Sequence, residues 1–188
     1  LRVPARFTDA CAVQLPATAS PDTPAPQMGE PGRPVTITFW TASTQAILDG
    51  RPLDLKTLYP NSKIDHYPAE AAALDKNPAG REQMEKMYSP AHALGNTEST
   101  KPTKAVQDLV AEGPGTLKPA AATESDGKGR RTPKGWQVVI TRALPAGLAP
   151  GARSLVAFAV GDGSGEDVGA RKMRTVWIPL AMPGGAAK

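Results

Sequence analysis

Between residues 35 and 41 the chain reads Val-Thr-Ile-Thr-Phe-Trp-Thr, with Val35, Ile37 and Phe39 alternating with Thr36, Thr38 and Trp40. That is the period of a β-strand with one face turned to a core. Residues 6–15 (Arg-Phe-Thr-Asp-Ala-Cys-Ala-Val-Gln-Leu) read as a buried strand. Pro16 ends it, because proline has no N–H to give to a ladder. Residues 135–144 place Trp136, Val138 and Ile140 on one face of a further strand. Residues 154–160 are almost continuously apolar, which predicts a central strand covered on both faces. After a turn-rich loop at 161–172, residues 175–181 form the last strand.

A different period appears at 103–112, where Val106, Leu109 and Val110 fall on one side of a short helix that Gly113 stops. Between 42 and 102 the patterning fades. Residues 53–67 hold an apolar turn and a Tyr-Pro-Asn turn, while 70–75 and 80–88 predict a few helical turns, the second with Met84 and Met87 on one face. A connection of this length is expected to be a functional excursion or a partner-binding surface. Short strands separated by turn signals make the predicted fold all-β, an antiparallel β-sandwich with short helices and long irregular loops. The expectation is one domain over residues 1–188.

Composition supports this: 20 prolines, 18 glycines and 5% aromatic residues suit a loop-rich β protein. The net charge of +4 is small, and the dense basic cluster Lys128 to Lys134 sits in a Gly-rich stretch without interleaved aromatics. It predicts a solvated turn and not a nucleic-acid site. No apolar run reaches the ~20 residues that span a bilayer. The single Cys11 excludes an intrachain disulfide, an intrachain four-cysteine cluster and a CxxCH haem attachment. The chain opens at Leu1 without a signal sequence, so it is expected to be processed or part of something longer.

Candidate chemistry is sparse. The two histidines, His66 and His92, would need carboxylates to complete a zinc site. Gly163-Ser164-Gly165 is too short for a nucleophile elbow, and no βαβ unit surrounds it to make a dinucleotide fingerprint. The chain is therefore read as no enzyme by itself. One loop stands out: Pro26-Gln-Met-Gly-Glu-Pro-Gly-Arg-Pro34 holds Met28 among prolines and glycines that restrict the backbone. A thioether so placed is either core filler or an axial ligand to haem iron.

The segments beginning at Arg6, Gln27 and Val106, then Ala157-Phe-Ala-Val-Gly-Asp-Gly, Gly169-Ala-Arg-Lys and the Trp177 strand, occur in that order. Together they resemble the haem-b-binding γ subunit of periplasmic molybdenum oxidoreductases, the group of ethylbenzene and dimethylsulfide dehydrogenases and chlorate and selenate reductases. The resemblance covers most of the chain. It implies a β-sandwich with one non-covalent haem b, ligated by Met28 and Lys172. It also implies a periplasmic heterotrimer with a molybdopterin catalytic subunit and an iron–sulfur subunit, relaying electrons to or from a soluble c-type cytochrome. Members carry further strands before the segment matching residues 6–15, and a tryptophan commonly stands where this chain has Gly161. A ligating lysine must give up its proton, so Lys172 is expected to point inward. The alternatives from other classes are a haem-free β-sandwich that binds carbohydrate or acts in adhesion, and an assembly or scaffolding subunit.

Overall fold

The structure, a computed structural model, describes residues 7–19, 23–50, 61, 76–88, 102–167 and 171–184. The chain divides into two compact units, Leu1–Pro52 with Pro102–Lys188, and Leu53–Lys101.

The larger unit is built on an antiparallel sheet. Its strands are β1 (Ala10–Pro16), β2 (Val35–Thr41), β3 (Val106–Ala111), β4 (Lys118–Pro119), β7 (Arg153–Gly161), β8 (Met173–Arg174) and β9 (Ile178–Ala181). The order is β4-β3-β2-β1-β7-β8, with β9 also pairing on β7. A second layer, the hairpin β5 (Asp126–Thr132) and β6 (Gly135–Thr141), is a two-stranded sheet of its own. The all-β sandwich architecture expected from the pattern is the one observed.

Alternation in β2 explains the two faces. Val35 and Ile37 are buried with Leu109 and Ala111 on one face, against Ala12, Met28, Phe39 and Trp177. Thr38 and Trp40 point the other way and are also buried, because the hairpin covers them. Trp40 meets Trp136 edge to face, with ring centroids 5.0 Å apart. Glycine is required in β5: a Cβ on Gly129 would strike the Trp40 ring, and one on Gly127 would strike the Val106 side chain. Polar groups tie the layers together as well. Asp108 accepts from Thr38 Oγ1 at 2.7 Å and from the backbone N–H groups of Glu124 and Ser125 at 3.0 and 2.9 Å. Lys104 Nζ donates to the carbonyls of Thr123, Glu124 and Ser125. Asp9 accepts from Trp136 Nε1, Arg131 Nη1 and the Gly163 N–H, joining β1, the hairpin and the loop after β7.

Four expectations change. Residues 106–111 form a strand, not a helix, because Val106 is buried under the hairpin while Leu109 and Ala111 are buried on the opposite face. Burial on both faces removes the polar alternation that marks a strand, and pairing along β2 decides the outcome. The basic cluster is no loop: Lys128 to Thr132 belong to β5, and the turn is confined to Pro133 and Lys134. β7 is interior in pairing, between β1 and β8–β9, yet Phe158 and Val160 are 43% and 48% exposed, so one face is uncovered. The last strand, expected over 175–181, is confined to β9 (Ile178–Ala181), and β8 (Met173–Arg174) precedes it, between the expected loop and the expected strand. Their registers on β7 differ by one residue, the mark of a bulge between them.

Residues 42–48, where no pattern is evident, form helix α1 (Ala42–Leu48), capped by Thr41 Oγ1 accepting from the Thr44 N–H. Its Gln45 accepts from Trp40 Nε1 and from the Gly129 N–H, so the helix closes one side of the hairpin.

In the smaller unit the helical turns expected at 80–88 form helix α2 (Pro78–Tyr88), with Asn77 Oδ1 accepting from the Gly80 N–H. Met84 is half-buried and Met87 is 63% exposed, so the two methionines do not share a buried face. The expected helical turns at 70–75, and the turns of 53–67 apart from Asn61, lie outside the described residues.

Candidate functional site

Met28 is held in the left-handed region at φ 72°, followed by Gly29 at φ 79°. A non-glycine residue in that region is uncommon and persists only where its surroundings fix it. Here they do. The Met28 carbonyl accepts from the Gly113 N–H at 2.8 Å, and the Gly29 N–H donates to Ala25 O at 2.9 Å. A Cβ on Gly29 would come within 2.9 Å of Arg33 O and 3.1 Å of Ala111 O, so only glycine lets the loop lie this close to β3. Gln14 Nε2 donates to Pro26 O, and Trp177 Nε1 donates to Pro24 O at 2.7 Å. Arg33 and Glu30 close the far side through an antiparallel bridge and an ion pair at 3.1 Å. The Met28 side chain itself is half-buried against the Val35, Ile37, Leu109 and Ala111 cluster.

Beside that cluster the same face of the sheet carries small residues. Ala12 pairs with Phe39 on one side and Ala159 on the other, Ala10 pairs with Gly161, and Ala159 pairs with Arg174. Ala10, Ala12 and Ala159 are only half-buried. The result is a low floor with Phe39, Met28 and Trp177 rising at its edge. Trp177 reaches this cluster from the segment between β8 and β9, and its bond to Pro24 O fixes the ring in place.

Lys172 immediately precedes β8, level with the Gly161 end of β7, and is half-buried. Met28 lies over β2 and β3, so the two expected ligands stand on either flank of the alanine floor. β2 and β8 are separated by three strand spacings, about 14 Å. Met28 packs in the Val35–Leu109 cluster and Lys172 does not belong to it, so the two are not brought into one packed cluster.

Other candidates divide by place. His66 and His92 lie outside the described residues. Among the described residues no group of three or more His, Cys, Asp or Glu side chains is placed to hold a metal ion. Ser164 sits in a single 3-10 turn (Gly163–Gly165), and its hydroxyl donates to Asp162 Oδ1 at 2.7 Å. That bond, with the Ser164 N–H, holds the Asp162 carboxyl below its usual range. Cys11 is on the opposite face from Met28, paired with Trp40 and Val160, and burial pushes its thiol up, away from the reactive thiolate.

The alanine floor is what the motif reading overlooks. Its signal is present in the sequence as alanines at alternate positions, Ala10 and Ala12 in one strand and Ala157 and Ala159 in its partner. Among the described residues no helix is long and apolar enough to cross a membrane. Neither a family model nor a curated protein matches this chain.

Proposed function

We propose that this chain is an electron-transfer subunit that holds one haem b over the alanine floor, with Met28 and Lys172 as axial ligands. The observation that supports the reading is the pairing of a conformationally fixed methionine with a half-buried lysine across a surface of small side chains. Ala12, Ala159 and Gly161 have small side chains or none, and would leave room between the Met28 and Lys172 flanks for the edge of a macrocycle. Thioether and amine donors need no histidine or cysteine, which suits this sequence.

The residues divide the work as follows. Met28 is carried by a backbone tied down at four points, so its sulfur has little freedom. Lys172 would supply the lone pair of its side-chain nitrogen as the second ligand. Phe39 and Trp177 wall the floor and exclude water, and Arg174, paired with Ala159, is placed to meet a carboxylate at the rim. When bound, haem b takes up and releases single electrons, with a potential set by its axial ligands and burial. We further propose that the electrons pass between an iron–sulfur subunit of a periplasmic molybdopterin oxidoreductase complex and a soluble c-type cytochrome.

Titration of the purified chain with haemin, followed by dithionite reduction, tests the proposal. The expected outcome is stoichiometric uptake and a low-spin b-type spectrum. A protein that stays colourless overturns it and returns the reading to a haem-free carbohydrate-binding or adhesion module.

A further inference from the structure

The second layer of the sandwich is narrower than the sheet it covers. β5 lies over β3 and β2, with Gly127 against Val106 and Gly129 against Trp40, and β5 also touches Gln45 of α1. β6 lies one step further across, since Arg142 just beyond it donates to Val13 O of β1 and to Thr36 Oγ1, while Trp136, Val138 and Ile140 pack against the Trp40 cluster that Cys11 also joins. There the layer stops. Among the described residues β6 has no partner strand on its outer side. Next to that edge the sheet face continues through β7 to β9. Val13 pairs with Phe158, Cys11 with Val160, Val160 with Met173 and Val156 with Ile178, so all of these lie on the hairpin's side. Phe158, Val160, Met173 and Ile178 are 43%, 48%, 63% and 39% exposed.

We infer that this ledge is a docking slot for one extended segment of an acidic protein partner, which adds as a strand along the free edge of β6. The depth selects the occupant. Stacked sheets sit about 10 Å apart, so the apolar floor is recessed behind the hairpin by one layer. A planar bilayer cannot reach it, whereas a single strand fills it, with backbone groups pairing to β6 and alternate side chains covering Phe158 and Val160. Charge selects the chemistry. Residues 127–188 carry ten Lys and Arg against three Asp and Glu, while residues 1–126 carry twelve against fifteen. Two of those cations, Lys128 and Arg130, stand on the outer face of the hairpin, paired with Val139 and Gln137. An incoming strand would set its outward side chains beside Gln137 and Val139 of β6, with the two cations one strand behind. Arg130 reaches across β6 to donate to Gln137 Oε1 at 2.6 Å, so carboxylates are favoured there and cations or a second basic copy of this chain are repelled.

The slot is on the face opposite Met28 and Ala12, so it neither uses nor tests the haem reading. The probe is a synthetic peptide alternating valine with glutamate, titrated onto the full chain by fluorescence anisotropy. It is expected to bind saturably, at least about tenfold tighter than the same peptide with lysine for glutamate. N-methylation of alternate peptide amides should remove binding, because it blocks strand pairing and leaves the protein untouched. The double variant Val160→Ser/Met173→Ser and the double variant Lys128→Glu/Arg130→Glu should each weaken binding by a similar factor, with circular dichroism confirming that both are folded. Equal affinity for the two peptides, or indifference to N-methylation, overturns the inference. So does capture of phosphatidylserine vesicles or single-stranded DNA with the same dependence on Val160 and Met173.

Discussion

At Met28 the backbone and the side chain have separable roles. The left-handed turn is held by main-chain bonds to Gly113 and Ala25, so Met28→Ala should leave the apo fold intact. In the haem-loaded protein it should convert low-spin iron to high spin, read in the visible spectrum; an unchanged spectrum removes Met28 as a ligand. Lys172→Arg should not restore ligation, since a guanidinium keeps its proton and has no free lone pair. Asp108 is a purely structural counterpart. Burial would raise its carboxyl pKa, but the hydrogen bonds from Ser125, Thr38 and the Glu124 N–H outweigh that and hold it below the usual carboxylate range. A group with a depressed folded pKa contributes stability that is present above its unfolded value of about 3.9 and is lost as pH falls through the folded one. Asp108→Ala should therefore cost about 2–3 kcal/mol at neutral pH, by stranding Thr38 and two backbone N–H groups. Urea titrations from pH 7 to pH 2 should show a flatter acid limb in the variant. The nearby Arg142 is pulled below its usual range by burial and partly restored by the Asp108 charge, so the two substitutions should not be additive.

Elements are where sequence pattern and structure part company most instructively. β2 was legible because its alternation is clean, and β6 because Trp136, Val138 and Ile140 face in while their neighbours face out. β3 was not, because a strand buried from both sides loses the polar half of its signal. β5 was hidden for the opposite reason. Its sequence Asp-Gly-Lys-Gly-Arg-Arg-Thr has almost no apolar content, and its glycines are dictated by Trp40 and Val106 on another layer. No local window contains that information. The same reasoning makes Gly129→Ala a sharp test. The added methyl must displace Trp40, which is 1% exposed, so the loss should be about 1–3 kcal/mol despite the better strand propensity of alanine. Thermal unfolding with a near-ultraviolet tryptophan signal will show it; a neutral or stabilising result would mean that the hairpin shifts freely on the sheet. Of the site, Met28 and its stiff loop could be read from proline and glycine alone. The floor needed the β1–β7 pairing, which joins alanines far apart in the chain.

At the scale of the whole molecule that pairing has a consequence for how the protein is made. Ala12 faces Ala159 across the middle of the sheet, 147 positions apart in the chain. Closing so long a loop costs conformational entropy before any contact rewards it, and proteins dominated by such pairings fold on the millisecond-to-second scale. A chain ending at residue 152 lacks β7, β8, β9 and Trp177, and so leaves the outer edge of β1 without a partner. Such a fragment should show no cooperative unfolding transition, whereas the full chain should refold in one slow phase after dilution from urea. During synthesis β1 and β2 emerge early and can pair with each other, but the outer edge of β1 stays open until residue 161 has been added. For most of its synthesis, then, the nascent protein is a hairpin with an exposed edge in need of shielding. A holding chaperone acting before β7 appears would raise the yield of folded protein more than one acting after.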